Sequence, residues 1–337
     1  MEQCNSRTGL KVARMAASVA LAGALLVGGA SKAQEASVQS FAEWREGVRA
    51  EALDVGISAA TFDAAFAGIE PIPRVIELDR SQPEVTITFE QYVERVVPES
   101  RVAQGRKLLA AHRDLLASIG REYGVPPRFI VALWGIETSF GKFLGGFPVI
   151  GALATLAHDG RRSAYFRQEL LHALRILEDG HIAPEAMVGS WAGAMGQSQF
   201  MPSSFVRYAV DYDGDGKRDI WSTQGDVFAS AANYLAQAGW RTGETWGRRV
   251  QLPLGFDHAL SGLKVKKPLA EWQAIGLRRA DGSDLPKAAM SGSVVLPGGE
   301  GGPAYIVYDN YRTIMRWNRS FYFATSVGLL ADRIGGR

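Results

Sequence analysis

The segment Phe129–Gly141 constrains this chain more than any other. Phe129, Ile130, Val131, Ala132, Leu133, Trp134, Gly135 and Ile136 form an apolar run closed by a single carboxylate, Glu137. Val125-Pro126-Pro127 precedes the run, and proline suits the first turn of a helix, where its missing N–H costs nothing. Counting from Ile130, the positions i, i+3, i+4 and i+7 are Ile130, Leu133, Trp134 and Glu137, so the acid shares a stripe with large apolar side chains. It also falls near the helix C-terminus, where the macrodipole disfavours negative charge by roughly 0.3–1 kcal/mol. Burial and dipole both favour the protonated form, the state a general acid needs. A lone acid in a helix is more often a rim residue turned to solvent, and here the neighbouring motifs overturn that reading.

A chain of 337 residues has ample core for one large domain or two ordinary ones. Hydrophobic residues make up 47% and charged residues 21%, an ordinary soluble balance. The net charge of +2 is unevenly spread: residues 1–33 hold Arg7, Lys11, Arg14 and Lys32 against Glu2, contributing +3 and leaving −1 for the rest. A nearly neutral body gives no electrostatic case for nucleic acid.

Residues 1–33 read as a secretory signal: a basic opening, the apolar stretch Met15–Val27, and small residues Ser31 and Ala33 at the cleavage-determining positions. The stretch is short and Gly/Ala-rich for a spanning helix. No twin arginine precedes it, which favours the general export route. The expectation is a periplasmic protein with no membrane anchor after signal cleavage. Cys4, the only cysteine, would leave with the signal, so neither a disulfide nor a cysteine-linked lipid is expected.

Apolar spacing predicts helical patches within 34–70, a break at Pro71 and Pro73, and a helical stretch over 103–123. A glycine-rich loop runs from Gly141 to Gly151. Further helices are predicted at 152–157, 164–179, Asp226–Gly239 and Ser320–Ile334. From Trp246 the pattern changes to short β-like runs at 250–254, 294–296 and 305–308, with 298–302 as a hairpin tip. The expected fold class is therefore α+β and mostly helical, with a small β insertion near 246–310.

Two further motifs carry chemistry. In Gly189–Ser204, small residues permit close approach, and Ser190, Gln197 and Gln199 offer uncharged groups suited to hydroxyls and amides. A tightly packed turn whose amides cap backbone accounts for the same residues equally well. In Asp211–Asp219, acids at loop positions 1, 3, 5 and 9 and glycine at 6 match the first half of an EF-hand loop, with Lys217 ligating through its carbonyl. Position 12 is Ser222 rather than the usual glutamate, and Asp226 could close a longer loop. An exposed Asp-Gly turn is the plainer reading, but acids packed this closely repel one another without a cation, so structural calcium is expected. The aromatics Tyr92, Trp134, Tyr165, Trp191, Tyr234, Trp317 and Tyr322 suit sugar stacking or core packing alike. Arg161-Arg162 could meet a carboxylate, and the run Lys264, Lys266, Lys267, Arg278 and Arg279 reads as solvated surface.

Taken together, the Glu137 motif, Ser190–Ser204, the Asp211–Asp219 loop and Tyr311–Ser320 stand in the order found in the lytic murein transglycosylase B family, glycoside hydrolase family 103, which this chain resembles from about Phe41 to Ile334. The resemblance implies a lysozyme-like catalytic core (about 118–147, 188–245 and 305–337). It also implies a helical domain (about 34–117 and 148–187), a small β domain (about 246–304) and an EF-hand-like calcium loop of Asp211, Asp213, Asp215, Lys217 and Asp226. By position, Glu137 matches the sole catalytic acid/base. Ser190, Gln199, Tyr92, Arg161, Arg162, Tyr165, Tyr234 and Asn318 match residues lining the substrate cleft.

The activity implied is cleavage of the β-1,4 bond between N-acetylmuramic acid and N-acetylglucosamine in peptidoglycan strands, leaving 1,6-anhydromuramoyl ends. Wall-synthesis proteins are possible further partners, and no organic cofactor is expected. Trp317 stands where the family usually carries a tyrosine, and Phe323 where some members carry another. Two alternatives remain at this level. One is a muramidase that adds water with Asp159 as base, and the other is an inactive calcium-stabilised murein binder.

Overall fold

The computed structural model describes residues 39–81 and 87–336; the expected signal segment 1–33 lies outside them. Helix α1 (Phe41–Asp54) opens on a capping box, Ser40 accepting from the Glu43 N–H while the Glu43 carboxylate reaches back to the Ser40 N–H. Helix α2 (Ala59–Ala65) is capped by Ser58. The break expected at Pro71 and Pro73 separates α2 from helix α3 (Pro73–Arg80), which Pro73 itself begins. Its ring presets φ, and the N–H it lacks is one the first turn leaves unused.

Helix α4 (Phe89–Val96) has a second capping box, Thr88 with Gln91. The stretch expected at 103–123 is two helices, α5 (Glu99–Ala111) and α6 (Arg113–Tyr123). Tertiary packing splits them, for the His112 ring at the junction sits edge-on to Trp134 and Phe228 at 6.1 and 5.4 Å. Gly124, at φ 69°, ends α6 in the left-handed conformation.

Helix α7 (Pro127–Thr138) begins at Pro127 and is buried from Phe129 through Gly135. It packs against α5, α6, the later helix Gln224–Gln237 and the last helix Phe321–Ile334. Burying each of its large side chains contributes roughly 1.5–3 kcal/mol, so the whole circumference fixes its position. The loop beyond is shorter than expected, because β1 (Phe147–Pro148) and then α8 (Val149–His158) occupy its predicted second half.

Helix α9 (Ser163–Glu178), β2 (Val188–Gly189), α10 (Pro202–Tyr208) and α11 (Gln224–Gln237) follow. Strands β1 and β2 pair antiparallel, Phe147 opposite Gly189. Gly145, at φ 105°, sits so close that a Cβ there would lie 1.9 Å from the Gly189 carbonyl oxygen.

The β segment comprises β3 (Gly247–Gln251), β4 (Lys267–Pro268), helix α12 (Leu269–Ile275), β5 (Arg278–Arg279), β6 (Ser291–Val295) and β7 (Ala304–Val307). They form an antiparallel sheet in the order β4-β6-β7-β3-β5. Helix α12 interrupts the run that composition made look purely β. Along β7 alternate residues face opposite ways: Tyr305 and Val307 join the cluster around α7, while Ala304 and Ile306 join a separate cluster with Trp272 and Val294. The two-residue period places one side chain on each face in turn, which is why this strand reads as uninterrupted apolar sequence.

Helices α13 (Asp309–Trp317) and α14 (Phe321–Ile334) complete the chain. A further apolar cluster gathers α1–α3, α8, α9 and the segment from Met187 to Trp221. Among the described residues, no helix is long and apolar enough to cross a membrane.

Candidate active site

Glu137 is the penultimate residue of α7, and its side chain is only partly exposed. Burial pushes its carboxyl up from the ordinary 4.5 to about 8, and one hydrogen bond, from Trp317, opposes that shift. The donor is the Trp317 indole Nε1–H, 2.7 Å from Oε1. Trp317 ends α13, and its ring packs against Tyr234 at 4.7 Å and Phe200 at 5.3 Å. The Tyr234 hydroxyl donates to the Arg316 carbonyl at 2.7 Å, pinning the backbone next to Trp317.

A pocket beside Glu137 is lined by Ile130, Leu133, Trp134, Gln197, Ser198, Val227, Phe228, Ala231 and Trp317. Glu137 is the one ionisable residue in that lining. The space is about 10 Å³, room for one water and not for a sugar ring, so a glycan has to meet Glu137 from its open side.

The turn after Glu137 is strained. Ser139 and Phe140 have φ of 50° and 63°, left-handed values that cost a non-glycine residue on the order of 1–3 kcal/mol each. Arg101 Nη2 holds the Ser139 hydroxyl at 3.1 Å. The Phe140 ring folds back over Gly135, where a Cβ would come within 2.7 Å of it.

Gln197 does not offer its amide to a ligand, contrary to the sequence-based expectation. It is buried; its Oε1 accepts from Trp134 Nε1 at 2.7 Å and its Nε2 donates to the Trp221 carbonyl at 2.8 Å. Thr138 Oγ1 donates to the Gln197 carbonyl at 3.1 Å, tying the residue after Glu137 to the same segment. Ser190 and Gln199 act locally on backbone. Ser190 Oγ accepts from the N–H groups of Ala192 and Ala194 at 3.3 and 3.0 Å. Gln199, at φ 47°, donates Nε2 to the carbonyls of Leu144 and Gly196 at 3.1 and 3.0 Å.

Of the remaining candidates, Tyr92 lies in one further group, Arg161, Arg162 and Tyr165 in another, and Asn318 follows Trp317 in the chain. Tyr92 meets Tyr322 edge-on at 5.5 Å, and Tyr322 meets Phe89 at 5.3 Å. Arg161 and Arg162 both engage the buried carboxylate of Asp79, and the Arg162 guanidinium lies over Phe166, 4.8 Å from its centroid. Tyr165 is half-exposed beside them, its hydroxyl pushed up to about 12 by burial and by Glu169. Asn318 Oδ1 accepts from the Ser320 N–H at 3.1 Å. Asp159 is bound to Arg80, Nη2 to Oδ1 2.9 Å. Phe323 is buried in the core around α7.

Carboxylate oxygens of Asp211, Asp213 and Asp226 lie within 4.8 Å of one another. Such a set of hard oxygen donors fits Ca²⁺. Gly214 and Gly216 take φ of 77° and 90° in the loop, and their N–H groups bind Asp211 at 2.7 and 2.9 Å. Asp226 accepts from the N–H groups of Tyr212 and Asp219, each at 2.7 Å; burial, reinforced by Asp211 and Asp213, raises its pKa. Asp215 instead accepts from the Lys217 N–H at 2.8 Å.

The sequence presents Trp317 as one of the stacking or core aromatics and as a departure from the family's tyrosine, but not its bond to Glu137. The available signal was that a partly buried indole N–H seeks an acceptor, and few acceptors stand near an apolar helix end.

Fold and site together set one carboxyl, its pKa raised by burial, at the end of a buried helix. The chain belongs to the transglycosylase SLT domain family, whose profile matches residues 40–332. Membrane-bound lytic murein transglycosylase B of Escherichia coli strain K12 is 33% identical over 257 residues, which cover 72% of this chain and 66% of that protein, a little under two thirds of its length. The structure of SltB3 from Pseudomonas aeruginosa in complex with NAG-anhNAM-pentapeptide matches at TM-score 0.86 and 48% identity, covering 88% of this chain and 80% of that one. That of the Escherichia coli lytic transglycosylase Slt35 in complex with calcium matches at 0.75 and 28%, covering 86% and 92%. The mostly helical α+β fold expected from the sequence is the fold these proteins share.

Proposed function

We propose that this protein is a lytic transglycosylase of peptidoglycan, cleaving the β-1,4 bond after N-acetylmuramic acid and closing a 1,6-anhydro ring. The observation that carries this reading is the protonated carboxyl: burial at the end of α7 lets Glu137 hold its proton to about pH 8, and one side chain, Trp317, is bonded to it. Protonated Glu137 donates to the glycosidic oxygen as the bond breaks. The carboxylate then takes the proton of the muramoyl C6 hydroxyl as that oxygen attacks C1. A hydrolase of the two-carboxylate type needs a second free acid, and the candidate Asp159 is already committed to Arg80. The NAG-anhNAM-pentapeptide bound by SltB3 supports an anhydro product here.

Ser190, Gln199, Tyr92, Arg161, Arg162, Tyr165, Tyr234 and Asn318 are proposed to line the glycan path. Export to the periplasm is proposed with it, since murein lies there. Asp211, Asp213 and Asp226, with Asp215 and the Lys217 carbonyl, are proposed to hold a structural calcium ion, in keeping with the calcium in Slt35. The ion stabilises the loop and takes no part in bond cleavage. The three apolar clusters support a division into a helical part, a catalytic core and a small β part.

Mass analysis of fragments released from purified sacculi tests the reading. Anhydro ends are expected from the native protein and none from Glu137→Gln. Reducing ends would make it a muramidase, and no release a binder.

A further inference from the structure

We propose that Trp317 is a positioning residue that divides the labour between the two oxygens of Glu137: the indole holds Oε1 as an acceptor, leaving Oε2 to carry the proton delivered to substrate. The inference rests on the reading of Glu137 as the acid, and deepens it.

The geometry is direct. Nε1 of Trp317 stands 2.7 Å from Oε1, a charge-assisted length once the carboxyl ionises. An indole nitrogen donates and never accepts. Oε1 therefore faces a donor in both protonation states, and a proton on Oε1 would set its own bond beside that of the indole. The proton belongs on the opposite oxygen. A tyrosine hydroxyl, the residue the family resemblance places here, both donates and accepts and so lacks this one-way constraint.

The indole is itself fixed. Its ring lies against Tyr234 and Phe200, and the Tyr234 hydroxyl is spent on the Arg316 carbonyl. Burial pushes that hydroxyl up to about 12, so it stays neutral wherever Glu137 titrates. Arg316, on the same helix as Trp317, donates to the Ala238 carbonyl. Among the described residues, the pocket contains no other charged group. A donor aimed at Oε1 favours the carboxylate, so it also eases the second half of the reaction, when Glu137 must be a base.

The test compares the full chain with Trp317→Phe and Trp317→Tyr. Phenylalanine keeps an aromatic ring against Tyr234 and Phe200 but offers no donor. We expect the alkaline limb of kcat/KM for Trp317→Phe to move to higher pH, kcat at the optimum to fall on the order of tenfold to a hundredfold, and KM to hold. Trp317→Tyr should return the limb toward its native position. Direct titration of the Glu137 carboxyl by ¹³C NMR should show the same upward shift in Trp317→Phe and needs no turnover. An unmoved limb and an unmoved NMR titration, with only thermal stability reduced, would reduce Trp317 to a packing residue. A native protein that releases no anhydro ends overturns the functional reading instead, while the NMR titration still decides the role of Trp317.

Discussion

The indole of Trp134 and the amide of Gln197, 63 positions apart in the chain, meet in a buried hydrogen bond of 2.7 Å. The same amide reaches the Trp221 carbonyl at 2.8 Å, so one side chain ties α7 to the segment that follows β2 and to the approach to α11. Gln197→Leu leaves an N–H and a carbonyl buried without partners, at about 1–3 kcal/mol for each. Calorimetry should find a clearly lowered melting temperature with a similar fold. A variant as stable as the native chain would remove this clasp from the account.

Stability should depend on pH through Glu137. Its folded pKa, about 8, lies above the ordinary 4.5, so between those values the folded state keeps a proton that the unfolded chain releases. Stability therefore falls as pH rises across that window, and the contribution is gone above about pH 8. Glu137→Gln removes the effect: it should match the native protein near pH 4 and exceed its melting temperature near pH 9. Parallel melting curves at both pH values would mean that the carboxyl is not held in its neutral form.

Calcium should raise the melting temperature of the native chain, by about 2.7 kcal/mol of stability when the ion is present at 100 times its Kd. Asp213→Ala removes one of the three converging carboxylates and should abolish most of that increment. The reading fails if the variant responds to calcium as the native protein does.

Gly145 and Gly146 make a matched pair. A Cβ on Gly145 would lie 1.9 Å from the Gly189 carbonyl oxygen at a φ of 105°, whereas one on Gly146 meets nothing within 4 Å. Gly145→Ala should cost on the order of 1–3 kcal/mol and open the loop before β1 to limited proteolysis. Gly146→Ala should be nearly silent. Equal sensitivity of the two would show that the pairing of β1 with β2 does not depend on that close approach.

Local signals made much of this fold readable in advance. Strong apolar periodicity marks α7, α9, α11 and α14, and helices nearly coincident with the expected spans occupy those positions. The failures have specific physical causes. His112 divides a periodic stretch because its ring packs on residues far away in sequence, Trp134 and Phe228. In the site, Glu137 stood out as a lone acid in apolar surroundings, a property of its own segment. The bond from Trp317 joins residues 180 positions apart, and no local pattern encodes it. Gln197 looked like a ligand group because its type and setting are the same whether its amide meets substrate or Trp134.

Among the described residues, Tyr234 and Trp317 are the two partly buried side chains that pack against both of the large apolar clusters. The indole that grips Glu137 thus rests in the seam between those two clusters, so slippage along that seam is expected to displace the carboxyl before either cluster melts. Dilute denaturant should accordingly silence turnover while helical circular dichroism is still intact, which makes enzymatic rate the earliest gauge of loosening.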